Sequence, residues 1–141
     1  MSNPVFADAP GGPDNALLAH LGIELINTEV GHAVFEMEIG PHHLNRQDSL
    51  HGGVIATLLD VACGYAGLMT SDQEPMGNAV TIMLNISYLS KASTGRVRST
   101  GTVTRSGRSI YFASGELRSE TGELIATAQG SFKRSRASTG A

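Results

Sequence analysis

The sequence predicts an α+β domain in which one long apolar helix is covered by an antiparallel sheet of about six strands. Three observations carry this. The stretch 52–70, GGVIATLLDVACGYAGLMT, holds a single charged side chain, Asp60, and so reads as a buried helix. The chain on either side alternates apolar and polar residues with the period of half-buried strands. Ser106-Gly107 and Glu120-Thr121-Gly122 are turn signals that join the later runs into hairpins.

The elements follow in order. Residues 1–14 are rich in proline, glycine and aspartate and read as a flexible arm. A single domain is expected over 15–134, and a serine-rich frayed tail over 135–141. Asp14 or Asn15 can N-cap a short helix through about Leu21. A strand is expected over 22–28. The next is marked by Ala33, Phe35, Met37 and Ile39 on one parity, with Glu36 and Glu38 on the other. A polar loop, 41–50, leads into the helix, and a second loop spans 71–78. Val80, Ile82, Leu84, Ile86 and Tyr88 mark the third strand, and runs 96–104, 110–118 and 124–133 follow. In the last of these, Leu124, Ala126, Ala128, Gly130 and Phe132 share a face. Its small residues suggest room for the helix.

Asp60 is the informative residue. A carboxylate within an apolar helix is costly to desolvate and is retained where it is paired, neutralised or used. A membrane span is the competing reading of 52–70. A mid-span Asp, no basic flank and strand-like neighbours argue against it. Net charge is −3, with scattered Lys and Arg, so neither a nucleic-acid footprint nor a basic membrane-binding helix is expected. Cys63 is the one cysteine, which excludes an intramolecular disulfide. It reads as a small core residue. No basic start followed by an apolar run marks a secretory leader, and a cytoplasmic location is the expectation. His42, His43 and His51 lack zinc-ligand spacing, so no metal is expected. His42 and His43 read as solvated loop residues.

The segments His43-Leu44-Asn45, Leu50-His51-Gly52-Gly53 and Leu58-Leu59-Asp60 resemble the signature of hotdog-fold acyl-CoA thioesterases. The likeness is to the phenylacetate-degradation type of the 4-hydroxybenzoyl-CoA thioesterase superfamily. Val80-Thr81, Leu84-Asn85-Ile86-Ser87-Tyr88 and the Gly107-Arg108 turn agree, so the resemblance covers about 21–133. It implies a sheet wrapped round the helix, protomers paired edge to edge, and dimers pairing again into a tetramer. The active site would lie at the dimer interface. Gly52 N–H at the helix start would polarise the thioester carbonyl, and Asn45 would help to hold it. Asp60 from the partner would act as general base or nucleophile, with Thr81 orienting water beside it. A related branch has glutamate at the acid position and a hydroxyl residue four places on. Asp60 and Gly64 fit the aspartate branch instead.

His51 has two readings: it orients the loop or the substrate, or it caps the helix. Asn45 is either a site residue or an ordinary turn residue. Tyr65 and Met69 line an acyl pocket or pack in the core. Lys91, Arg105 and Arg108 are candidates for the phosphates of coenzyme A, against a solvated-surface reading. The function implied is hydrolysis of an aryl- or acyl-CoA thioester to free acid and coenzyme A, with no cofactor. The alternatives are a non-catalytic acyl-CoA-binding protein and a hotdog dehydratase or hydratase.

Overall fold

The computed structural model describes residues 15–135. The expected arm, 1–14, and the tail from 136 onward lie outside them. Helix α1 (Ala16–Leu21) is capped by Asn15, whose side chain accepts from the N–H groups of Leu17 and Leu18. Gly22 ends it in the left-handed conformation, φ 75°. Strands β1 (Ile23–Glu29) and β2 (His32–Glu38) form a hairpin, and a 3₁₀ turn (Pro41–His43) opens the loop to helix α2 (Gly52–Ala66). Strands β3 (Ala79–Tyr88), β4 (Arg96–Ser106), β5 (Ile110–Ser119) and β6 (Leu124–Arg134) follow. All six strands form one antiparallel sheet in the order β1-β2-β4-β5-β6-β3. The predicted elements are all present.

One stripe of α2 lies on the sheet. Ile55, Leu58, Leu59, Ala62, Cys63 and Ala66 are buried at helical spacing. All but Cys63 share a core cluster with Phe35, Met37, Val97, Leu117 and Ile125 from the strands, and Cys63 clusters with Tyr111, Ala113 and Phe132. The helix is therefore not buried all round: Gly53 is exposed, and Thr57, Asp60 and Val61 are half-buried on the other face. The helix also stops at Ala66, short of the predicted 70, although Leu68 and Met69 keep the apolar pattern. Gly67 lies under the Tyr111 ring, where an added Cβ would come within 2.2 Å of it. Tyr111 Oη donates to the Gly64 carbonyl, at 2.5 Å. Arg134 donates to the Gly67 carbonyl. The N–H groups of Gly67 and Leu68 close the last turn on the Gly64 and Tyr65 carbonyls, and the Tyr111 ring and Arg134 pack where the helix would continue.

The closest approach of helix and sheet falls on Gly101 of β4 and Gly115 of β5, which pair across the two strands. A Cβ on Gly101 would sit 2.0 Å from the Ala62 carbonyl oxygen, and one on Gly115 would sit 2.8 Å from Cys63 Sγ. The small face of β6 was expected to receive the helix. There Ala126 and Ala128 share the core cluster of the helix, while Gly130 makes room for the Phe132 ring and the Met83 carbonyl. On the outer face, Glu36 takes Arg96 Nε and Arg98 Nε at 2.7 Å each, tying β2 to β4. The Arg96 hydrogen bond, with help from Arg98, holds the Glu36 carboxyl below its usual range although burial pulls the other way.

Strand β3 is a sheet edge whose only neighbour among the described residues is β6. It exposes Val80, Ile82, Met83 and Tyr88, and Leu89 follows them. Open edges with apolar side chains are templates for pairing with another chain.

Candidate active site

The start of α2 is built by its own loop. His51 is the N-cap, and its Nδ1 accepts from the Gly53 N–H at 2.8 Å. The N–H groups of Val54 and Ile55 both go to the His51 carbonyl, at 3.0 Å. The Gly52 N–H has no acceptor among the described residues, and it stands at the positive end of a helix of 15 residues. The Gly52 carbonyl is held by Tyr88 Oη at 3.0 Å. Of the two readings of His51, the capping one describes its contact here.

Asn45 fills the turn role through its oxygen. Oδ1 accepts from Gln47 N–H at 2.8 Å and Ser49 N–H at 3.1 Å. Its Nδ2 amide donates to nothing among the described residues and is free to serve a ligand. Asn45 and His51 line an open groove of about 890 Å³ together with Leu44, Arg46 and Gln47. Arg46 went unremarked in the sequence because nothing there shows that the loop folds back over the helix start.

The second half of the site lies further along α2. Thr81 of β3 donates its hydroxyl to Asp60 Oδ1 at 2.8 Å, and Asp60 is half-buried. Cys63, one turn on, is fully buried. Its thiol is pushed up to about 12, chiefly by burial and then by the Asp60 charge. It is a core residue and no nucleophile. Tyr65 meets Phe35 edge to face at 5.0 Å and is packed against the core.

The structure thus gathers Asn45, His51 and Gly52 at one place and Asp60 and Thr81 at another. Gly52 and Asp60 lie eight positions apart on a straight helix, roughly 12 Å at about 1.5 Å per residue. The exposed Lys91 precedes Ala92, whose carbonyl accepts from Leu50 N–H at 2.7 Å near the start of α2. Arg105 and Arg108 flank the β4–β5 turn. Arg134 joins Gly107 of that turn to Gly67, past the C-terminal end of α2. The three cations are therefore not one cluster within a single chain.

His43 departs from its expectation. It is not solvated but 2% exposed, and burial holds its pKa below the usual imidazole value. Among the described residues no three His, Cys, Asp or Glu side chains are placed to hold a metal, and no helix is long and apolar enough to cross a membrane.

An apolar helix laid in a single six-stranded antiparallel sheet is the hotdog fold. Residues 47–126 match the model of the Thioesterase superfamily. The chain is 35% identical to acyl-coenzyme A thioesterase 13 of Homo sapiens over 106 residues, 74% of each chain. It superimposes on the PaaI protein of the E. coli phenylacetic acid degradation operon with a TM-score of 0.77 and 26% identity, covering 86% of each chain. Against the conserved protein PA5202 of Pseudomonas aeruginosa the TM-score is 0.78, with 27% identity over 86% of this chain and 94% of that one. The chain belongs to the thioesterase superfamily and is a thioester hydrolase.

Proposed function

We propose that two copies of this chain pair through β3, and that each active site combines Asn45 and Gly52 of one copy with Asp60 and Thr81 of the other. The observation that carries this is the roughly 12 Å of helix between Gly52 and Asp60. A reacting carbonyl must lie within about 3.5 Å of the groups that act on it. That span is longer than one carbonyl bridges, which supports a site shared between two copies. The exposed apolar edge of β3, with Thr81 on it beside Asp60, supports the pairing. The second pairing, dimer on dimer into a tetramer, stays part of the proposal on the strength of the resemblance.

The thioester carbonyl oxygen accepts from Gly52 N–H and is held by Asn45 Nδ2. Negative charge that develops on this oxygen is stabilised by the N–H and the helix dipole. Thr81 spends its one hydrogen on Asp60 Oδ1, so its lone pairs are left to hold a water. That favours Asp60 as general base over Asp60 as nucleophile. Oδ2 takes the proton as the water oxygen bonds to the carbonyl carbon. The C–S bond then breaks, and coenzyme A leaves as the thiol once it regains a proton. Lys91 and Arg46 of one copy, with Arg105 and Arg108 of another, supply cations for the phosphates of coenzyme A. The acyl group is aryl or medium-chain, and the setting is a reducing, cytoplasmic one in keeping with a single buried thiol.

The test is release of free thiol from a panel of aryl- and acyl-CoA thioesters by wild type and Asp60→Asn. Turnover that falls by about 10²–10⁴ in the variant is expected, the range for a lost general base. Near-wild-type turnover would remove Asp60 from the mechanism. Saturable binding with no thiol release from any member would favour a binding protein.

A further inference from the structure

His43 holds the loop on which the carbonyl-binding half of the site is built. It is 2% exposed, although the loop around it is polar. Both ring nitrogens are used: Nε2 lies 2.7 Å from the Leu21 carbonyl, and Nδ1 accepts from Gly40 N–H at 2.9 Å. A carbonyl can only accept, and an N–H can only donate, so one tautomer fits both contacts. It is the neutral ring with its hydrogen on Nε2. The backbone of the same residue makes two more bonds. His43 N–H donates to the Gly40 carbonyl at 3.0 Å, and the His43 carbonyl accepts from His51 N–H at 2.8 Å.

These bonds link three separate parts of the chain. Leu21 is the last residue of α1, and its carbonyl is one of the orphans of that helix end. Gly40 begins the loop, and His51 ends it as the cap of α2. Asn45 stands two positions past His43, and the Gly52 N–H one position past His51. A change in the His43 ring therefore moves both carbonyl-binding groups together. A Phe of similar size would fill the space but would leave the Gly40 N–H and the Leu21 carbonyl without partners in a buried place.

We propose that His43 is a positioning residue for catalysis: its ring bridges Leu21 and Gly40 and so fixes the Asn45 amide and the Gly52 N–H where they receive the thioester carbonyl. The proposal rests on the reading of Asn45 and Gly52 as the carbonyl-binding pair. Its signature is a loss in kcat larger than any change in KM. Those two groups bond the carbonyl oxygen most strongly once charge has developed on it, whereas the rest of the acyl-CoA binds elsewhere along the groove.

The experiment measures kcat and KM of His43→Phe, His43→Gln and Asn45→Ala on the acyl-CoA that wild type turns over fastest, at a temperature where circular dichroism shows each folded. His43→Phe is expected to lose about 10–100-fold in kcat with KM changed less than about threefold, the scale of a misplacement near 1 Å. His43→Gln keeps an amide donor for Leu21 and recovers part of the loss. A folded His43→Phe with wild-type kcat, beside an Asn45→Ala that is inactive, overturns the positioning role. An Asn45→Ala with full turnover overturns the reading of Asn45 instead, so the two failures are told apart. Should His43→Phe not fold, imidazole ¹⁵N shifts of the wild type decide. A neutral ring with hydrogen on Nε2 throughout the active pH range is expected, and a protonated or Nδ1–H ring in active enzyme overturns the proposal.

Discussion

Mixing two inactive variants tests the shared site most directly. Asp60→Asn removes the acid and leaves Asn45 and Gly52. Asn45→Ala removes a carbonyl-binding group and leaves Asp60. Each homodimer then has two damaged sites. In a heterodimer, one site takes Asn45 and Gly52 from the first chain and Asp60 from the second, and is intact. The other site carries both lesions. Random exchange of an equal mixture makes about half of the dimers heterodimers, each with one good site in two, so about a quarter of wild-type activity returns. The roughly 12 Å between Gly52 and Asp60 on α2 is the reason to expect this outcome. The assay is thiol release after co-refolding the variants, with each refolded alone as control. If the mixture stays as inactive as the separate variants while size-exclusion and light scattering show that subunits have exchanged, the groups act within one chain and the reasoning fails.

Three further outcomes are expected. Thr81→Val keeps the β-branched shape but removes the hydroxyl bonded to Asp60. Turnover should fall by about 10–100-fold, with a urea midpoint near wild type, if the hydroxyl serves as part of the general-base apparatus. An unchanged kcat would take Thr81 out of that role. Gly101→Ala should destabilise the domain by about 3 kcal/mol or more, at the upper end of overpacking costs, because its Cβ would meet the Ala62 backbone 2.0 Å away and not a yielding side chain. A denaturation midpoint equal to wild type would show that the helix can lift off the sheet freely. Stability should also fall on acidification through His43. Its folded pKa is below the unfolded value of about 6.5, so the unfolded chain binds more protons. The His43 contribution is full above about pH 6.5 and declines below it, until the folded ring also protonates. Urea unfolding of wild type and His43→Gln between pH 7.5 and 5 reads the difference, and parallel pH profiles would contradict the assignment.

Particular residues show how far the sequence could be read. Asp60 drew notice because a lone acid in an apolar run has few innocent explanations, and Thr81 does lie against it. The strands were legible because parity is a local property: Phe35 and Met37 point inward wherever the strand is placed. His43 was misread because its burial depends on Leu21, over twenty positions away, and on Gly40 folding back beneath it. The end of α2 was misread for a similar reason. Leu68 and Met69 continue the apolar run, whereas Tyr111 and Arg134, distant in sequence, stop the helix at Ala66.

The glycines divide along the same line. Gly52 and Gly53 were conspicuous beside His51, at the mouth of a helix. Gly101 and Gly115 were silent, because only the assembled sheet sets them opposite each other under Ala62 and Cys63. The face of β6 drew attention instead, since a row of small residues is visible in one strand and a pair shared by two strands is not.

By itself the sequence determined the α+β class, the number of strands, the apolar helix and the acid within it. Each of these follows from periodicity and composition over neighbouring residues, which fix secondary structure and its buried face. The tertiary structure alone decided strand order, the glycine seat of the helix, the burial of His43 under the loop, and the placing of Thr81 against Asp60. Those depend on contacts between residues far apart in the chain, whose distances no local pattern encodes. The rigid rise of α2 between Gly52 and Asp60 is then a reason for two chains to share each site.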